Sequence, residues 1–455
     1  MDKGFGGIEN KSSPKNFASK LSNTFRALKH RNFRLFYAGQ SISLIGTWMQ
    51  TIAQSWLVYR LTGSVVLLGL IAFASQIPVF LLAPIGGAIA DRYNRQRILL
   101  FTQTWAMIFA FILAFLTLTE TIQVWHLFVI AVCFGIANAF DIPTRQAFAV
   151  DMVGKEDLIN AIALNSTLFN GARIVGPAIA GVLIGWVGEA LCFFINATSY
   201  FAVLTSLLLM KIKIEIRPKT GSTFSNIVEG FSFVVKNSPI RSLLLLLGLV
   251  SLMGMPYAVL MPIFAGKILG GGSSTLGYLM GASGFGAVSA ALLLASRKEV
   301  FGLGRWVAFA SSGLGFSLIL FSFSENFWLS LLLLIPVGFS MMTQMSSSNT
   351  LIQSMVPDEL RGRVMSVYSM MFMGMAPLGA LMAGSLAGIL GAPNTVALGG
   401  AVCILGSILF GLRLPALSKE GRKMIVSTQM AAGVPASKAS FQPPAFTAES
   451  NAARD

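Results

Sequence analysis

Apolar residues in this chain gather into runs of about twenty, the length a helix needs to cross a bilayer, with short polar links between them. Twelve such runs can be drawn, at 36–59, 65–89, 98–118, 124–142, 161–184, 191–210, 243–264, 276–295, 306–323, 327–345, 364–390 and 395–412. The pattern predicts an all-α membrane protein of twelve transmembrane helices. Many runs contain Gly and Pro, which membrane helices tolerate because neighbouring helices satisfy the freed backbone groups. A polar stretch at 211–242 divides the runs into six and six. The expected organisation is an N-terminal arm (1–35), a first six-helix bundle (36–210), a linker (211–242), a second bundle (243–414) and a polar tail (415–455). The tail is rich in Ala, Ser and Pro and reads as disordered.

The two bundles repeat. Asp151-Met-Val-Gly-Lys-Glu-Asp-Leu158 precedes a run carrying Gly176-Pro177, and Ser354-Met-Val-Pro-Asp-Glu-Leu360 precedes one carrying Pro377. Both links feed a run of the same direction, which predicts parallel repeats with a binding site between them at the midplane. Within the linker, Phe224, Ile227, Val228, Phe231, Val234 and Val235 fall at helical spacing. They predict an amphipathic helix on the face of the membrane or of the bundle.

Composition supports a lipid-solvated chain: 55% of residues are hydrophobic and 11% charged, against about 25% charged in soluble domains. The net charge of +15 would suit a nucleic-acid partner, but its placement does not. All of the 33 lysines and arginines except Arg60, Arg173 and Lys267 lie in the N-terminal arm, in links that follow even-numbered runs, or in the tail. That asymmetry is a topology signal and puts both termini in the cytoplasm. The first run is too long and begins too far into the chain for a cleaved leader, so it is expected to remain as a helix. Cys133, Cys192 and Cys403 sit inside apolar runs, and His30 and His126 are the only histidines. No metal site, disulfide framework or cofactor is expected. No Walker-type phosphate loop, acid pair or nucleophile with a base is present, so no enzyme is expected.

The link after the second run reads Gly87-Ala-Ile-Ala-Asp91-Arg92-Tyr93-Asn94-Arg95-Gln96-Arg97. It resembles the G-x-x-x-D-R-x-G-R-R signature of the major facilitator superfamily. Gly87 would let helix two approach a neighbour, and Asp91 would suit the free N–H groups of a helix N-terminus. The resemblance implies that this N-terminus is the start of helix eleven, at Arg361-Gly362-Arg363. It also implies that Arg95 pairs with an acid low on helix four, for which Asp141 is the candidate. Together these residues would form a latch holding one access state. Asn94 stands where the family has Gly and could keep a left-handed turn.

Run five, with Gly176, Pro177 and Gly181, resembles the family's G-P-x-x-G-G motif of antiporters and exporters, with Ala180 replacing one Gly. Arg173 is the one strong charge deep inside a run. Such a charge needs a partner or a water-filled cavity: it either binds a substrate anion or pairs with carbonyls and polar neighbours such as Asn170. Gln50 and Gln54 of run one are further substrate-binding candidates. Run one carries no acid, and the family's helix-four motif R-x-x-Q-G is missing, with Ala131 or Val132 near its place before Gly135. Ten of the 21 methionines lie between Met341 and Met382, as packing or as a pliable lining.

Leu28-Lys-His-Arg-Asn-Phe-Arg-Leu-Phe36, Thr62-Gly63-Ser64 and Val356-Pro-Asp-Glu-Leu-Arg-Gly-Arg363 resemble the bacterial exporter subgroup that includes enterobactin exporters and macrolide efflux proteins. The resemblance implies a monomeric secondary exporter of a small organic molecule, siderophore-like or drug-like, with lipids around it and protons as coupling ion. Lysolipid movement and a non-transporting sensor or assembly factor are the alternatives.

Overall fold

The computed structural model describes residues 25–154, 156–212, 223–296 and 302–431. Twelve long helices run through them: α1 Arg31–Thr62, α2 Val65–Arg92, α3 Arg95–Leu118, α4 Val124–Val153, α5 Leu158–Val187, α6 Glu189–Leu209, α7 Ser238–Ile268, α8 Ser273–Ala295, α9 Leu303–Ser322, α10 Phe327–Met355, α11 Asp358–Leu390 and α12 Ala392–Ala431. Eleven are long and apolar enough to cross a membrane. The twelfth, α1, is more polar, carrying Gln40, Thr47, Gln50, Thr51 and Gln54 within its length. A separate linker helix, Thr223–Lys236, stands between α6 and α7.

The repeat is visible in the packing. In the first half α2 lies on α4, α3 on α6 and α1 on α6; in the second α8 lies on α10, α9 on α12 and α7 on α12. The halves meet through α2 on α11 and α5 on α8, two seams related by the same repeat, and through α7 against α1 and α2. A helix turn of the π type opens α7 at Val250–Gly254 and another at Phe264–Ile268, on either side of Pro256 and Pro262. Such widened turns replace the regular ladder where proline removes a donor. Prolines also sit inside α2, α4, α5, α10, α11 and α12.

Several helices outrun their apolar stretches. The fourth run ends at 142, yet α4 continues to Val153. Asp141 and Arg145 pair one turn apart there and offset each other's charge, so the helix need not stop where the apolar residues do. The tail is likewise corrected in part. Instead of disorder from 416, α12 runs through Pro415 to Ala431, burying Leu417 and Ile425. Gly421 rests on Met355 of α10 and Pro239 of α7. This stretch has an apolar face that a composition argument overlooks. Residues 432–455 lie outside the described residues.

The linker helix does form, and it packs on the start of α11. Gly230 fits against the Arg363 carbonyl, where a Cβ would sit 2.6 Å away, and Glu229 pairs with Arg363. Val228, Phe231 and Val235 keep an exposed apolar stripe, suited to an interface with lipid. At the same end of the molecule, the turn Arg26–Lys29 is tied to the start of α5. Arg26 and His30 reach Asp157 at 2.8 and 2.7 Å, and Ala27 N–H donates to Asn160. This is the basic end. The far end carries Arg60, which donates twice to Glu189 at 2.8 and 3.3 Å.

Candidate functional site

The halves touch at the far end and part towards the basic end. On the α2–α11 seam a Cβ at Gly69 would lie 2.8 Å from the Cα of Gly384, and deeper in, Phe80 covers Gly374. On the α5–α8 seam a Cβ at Gly181 would lie 2.9 Å from the Cα of Gly277, and deeper in, Ile174 covers Gly284. Ser274 donates to the Gly181 carbonyl at 3.0 Å, and Tyr59 closes on Gly266. Towards the basic end, Gly171 and Gly362 face open space. Exposed polar side chains stand inside the spans: Thr47 and Thr51 on α1, Asn138 on α4, Ser166 and Thr167 on α5, Ser366 and Ser369 on α11. Polar groups at membrane depth face an aqueous interior rather than lipid. These mark a water-accessible space between the halves, open at the basic end and shut halfway through.

Gly181 and Pro177 of the exporter-like motif belong to the α5–α8 seam, whereas Gly176 packs inside the first half. Gly176 lets α5 meet Trp48 and the Ile45 carbonyl of α1, the Pro177 carbonyl lies against Gly277, and Gly181 forms the glycine pair. Arg173 sits one residue from Ile174, at the depth where the halves separate. Its guanidinium lies 5.8 Å from the centre of the Trp48 ring, a cation–π distance. Trp48 is itself edge-on to Phe169 at 5.5 Å. Asn170 donates to the Ser166 carbonyl at 2.8 Å, so the arginine's neighbour is an aromatic ring and not the amide expected from sequence. Gln54 is half-buried on α1. Gln50 does not line the space: it is 6% exposed and accepts from Asn196 of α6 at 2.6 Å. Sequence spacing gave α1 more than one polar face, and only the packing tells which one α6 covers.

The signature link differs from its expected wiring. Arg95 does not reach Asp141. Its Nη1 donates to Asp151 at 2.9 and 2.8 Å, and its Nε to the Ala90 carbonyl at 3.0 Å. It thereby clamps the α2–α3 corner to the last turn of α4. Because α4 is longer than its apolar run, the acid low on it is ten residues further along. Asp91 is 35% exposed, with Arg95 Nη2 at 3.7 Å, while Arg363 of α11 is held by Glu229. Arg92 is exposed and Arg361 half-buried. Asn94 is extended and caps α3, its Oδ1 accepting from Arg97 N–H at 3.1 Å, so no left-handed turn is kept. The close approach on α2 belongs to Gly86, whose Cβ would strike the Ala139 carbonyl, and not to Gly87.

Sequence reasoning missed Arg145, which it placed in a link. It lies within α4, donates through Nη2 to Asp141 and through Nη1 to Gln40 of α1 at 3.1 Å. Asp141 also accepts from Gln103 at 2.7 Å and Thr102 at 3.1 Å, both on α3. The usable signal was the spacing Asp141-x-x-x-Arg145, an acid and a base on one helix face. Among the described residues no group of acids, histidines and cysteines could hold a metal, and the cysteines are free.

Two parallel six-helix repeats enclosing a space that opens at one end and seals at the other define a transporter fold of the major facilitator type. The family model described as transmembrane secretion effector matches residues 22–438, and the chain belongs to that family. It is 26% identical over 378 residues to the staphyloferrin A transporter of Staphylococcus aureus, covering 83% of this chain and 95% of that protein. It is 22% identical over 408 residues to the enterobactin exporter of Shigella boydii, covering 90% and 97%. Among solved structures, that of the nucleoside transporter NupG superposes with a TM-score of 0.66 at 14% identity, over 85% of this chain and 99% of that one. The chain is therefore a multi-pass membrane transporter of small molecules, and not an enzyme.

Proposed function

We propose that this protein exports a small, siderophore-like organic molecule bearing an anionic group across the bacterial inner membrane, by alternating access. On this reading the basic end is cytoplasmic, which the distribution of lysine and arginine supports, and the arrangement described is the state open to the cytoplasm. The relatives named for staphyloferrin A and enterobactin support the substrate class. The observation that carries the reading is Arg173: a guanidinium laid on Trp48 at the closed end of the space. A charge at the centre of a helix costs roughly 2.5–3.5 kcal/mol to insert, and an anionic substrate entering from the open end would offset that cost. The sequence carries no Walker-type phosphate loop, and on this reading the energy is electrochemical. An inside-negative potential of 100 mV favours the exit of each negative charge by about 2.3 kcal/mol.

Counterflow in proteoliposomes tests this, with staphyloferrin A and uncharged drug-like compounds as alternative substrates. Arg173→Gln should insert normally and lose at least tenfold in flux of the acidic substrate while sparing neutral ones. Arg173→Lys should also fall short, because a point charge cannot reproduce a planar fork over an indole. Equal loss for both classes at normal yield defeats the anion site, and the absence of any flux points to a sensor or assembly factor on this fold.

A further inference from the structure

Beside the corner that Arg95 clamps lies a groove of about 530 Å³. Helices α2 and α3 leave the corner at Tyr93 and Asn94 and meet little beyond it, so a cleft opens between them with α4 as its floor. Ile89 and Tyr93 form one wall, Ile98 and Phe101 the other, and Ala137 and Phe140 lie along the floor. The groove faces lipid and not the space between the halves. Phe101 is 67% exposed, and apolar surface left open within a span meets lipid tails, which are as apolar as the side chain itself. Below the rim the polar groups of the lining are already spent: the Thr102 hydroxyl donates to Asp141 at 3.1 Å, and the Trp105 indole N–H to the Cys133 carbonyl of α4 at 3.1 Å.

Charge stands only at the mouth. Arg97, Phe101 and Trp105 follow one another at four-residue steps and form one stripe of α3, which runs about 12 Å inward from the basic end. Arg97 is exposed, and so is Arg92, which lies three residues from Ile89 and therefore on the groove side of α2. Asp91, two residues from Ile89, points round the other side of α2, where Arg95 takes it together with Asp151. Among the described residues no acid pairs with Arg92 or Arg97. An acyl chain gains little by preferring this cleft to bulk lipid, because both are equally apolar. Selection has to come from the head. Basic pockets between membrane helices on the cytoplasmic side suit anionic headgroups, and a guanidinium fork matches the oxygens of a phosphate in pairs. Each basic residue near the surface favours an anionic lipid by about fivefold. A zwitterionic head brings a cation of its own to two arginines and gains less.

We propose that this groove holds one anionic phospholipid of the leaflet at the basic end, its phosphate at Arg97 and Arg92 and one acyl chain along Phe101 and Trp105. The chain fills the space that α2 and α3 leave between them, and the headgroup supplies the two arginines with the anion that the protein does not. The lipid thereby steadies the corner of the first half. The site stands apart from the space between the halves, so it holds whatever the transported molecule is.

The test is lipid retention by the full chain in nanodiscs of equal phosphatidylglycerol and phosphatidylcholine with the same acyl chains, read by native mass spectrometry. Wild type should keep one phosphatidylglycerol in preference to phosphatidylcholine by about fivefold or more. Phosphatidylglycerol added to the purified protein should raise its thermal midpoint, as a ligand of the folded state does. Arg97→Gln should lose about fivefold of that preference, and its midpoint should respond less. Ala137→Leu fills the floor while leaving both arginines in place, and it should lose the retained lipid as well. If Ala137→Leu does not fold, Phe101→Ala, at an exposed position, decides in its place. Glycerol phosphate, a headgroup without chains, should neither compete nor stabilise. Equal retention of the two lipids by wild type overturns the proposal, as does a preference that Arg97→Gln keeps in full. A preference that survives both Ala137→Leu and Phe101→Ala also overturns it, because attraction at the membrane surface then suffices without a groove. Stabilisation by glycerol phosphate equal to that by the lipid marks a phosphate site and removes the lipid one.

Discussion

Arg95 shows how one side chain can fasten a corner. Its guanidinium bridges the end of α2, the start of α3 and the last turn of α4, through Ala90, Asp91, Ala147 and Asp151. Losing a charge-assisted hydrogen bond of this kind costs about 1–3 kcal/mol. Arg95→Ala and Asp151→Asn should each lower the thermal midpoint of the purified protein, and together by clearly less than their sum, with a coupling of about 0.5–3 kcal/mol. Arg95→Ala with Asp141→Asn should be additive, because those two groups belong to different pairs. A coupling found for Arg95 with Asp141 and not with Asp151 would restore the wiring that the family resemblance implies.

Helices are where sequence and structure agree best, and where the remaining disagreements have causes. Apolar length found the twelve long helices, eleven of them apolar enough to span, because lipid leaves the backbone no choice but to bond within itself. It misjudged ends where hydrophobicity falls but helicity does not, as in α4 beyond Asp141 and α12 beyond Leu412. The same error hid Arg145 and moved Arg95's partner. Residue type singled out Arg173, Gly176 and Gly181, and the packing sets them beside Trp48, α1 and α8. It could not choose between Gln50 and Gln54, or Gly86 and Gly87, because neighbours one to four positions apart differ only in which helix they meet. The extension of α12 gives a direct check. Leu417 and Ile425 are buried, and removing a buried aliphatic side chain costs about 2–5 kcal/mol. Ile425→Ala should lower the melting midpoint or folded yield measurably, whereas a disordered tail would leave both unchanged.

The whole molecule makes an orientation prediction. Lys267 at the far end and Lys236 on the linker helix are both exposed. In intact cells an impermeant thiol reagent should modify Lys267→Cys and leave Lys236→Cys untouched until the membrane is opened. Background should be low, since Cys192 and Cys403 are buried and Cys133 is half-buried inside a span. The opposite labelling would reverse the direction assigned to the open end, and with it the export reading.

The two seams that shut the far end are built of glycine against glycine, Gly69 on Gly384 and Gly181 on Gly277. Backbone laid on backbone buries little apolar surface and interlocks no side chains. At roughly 25 cal/mol per Å², such a joint is weak in energy although it is tight in space. Parting the glycine contacts themselves strips no side chain from a fitted pocket, and Tyr59 over Gly266 and the Ser274 bond to the Gly181 carbonyl must let go beside them. It behaves like two smooth plates, held by proximity and free to slide or lift. Because the repeat makes the plates a matched pair, lifting one tilts the half that carries the other, so the door opens on both edges at once. A single bulky side chain on either plate would wedge both.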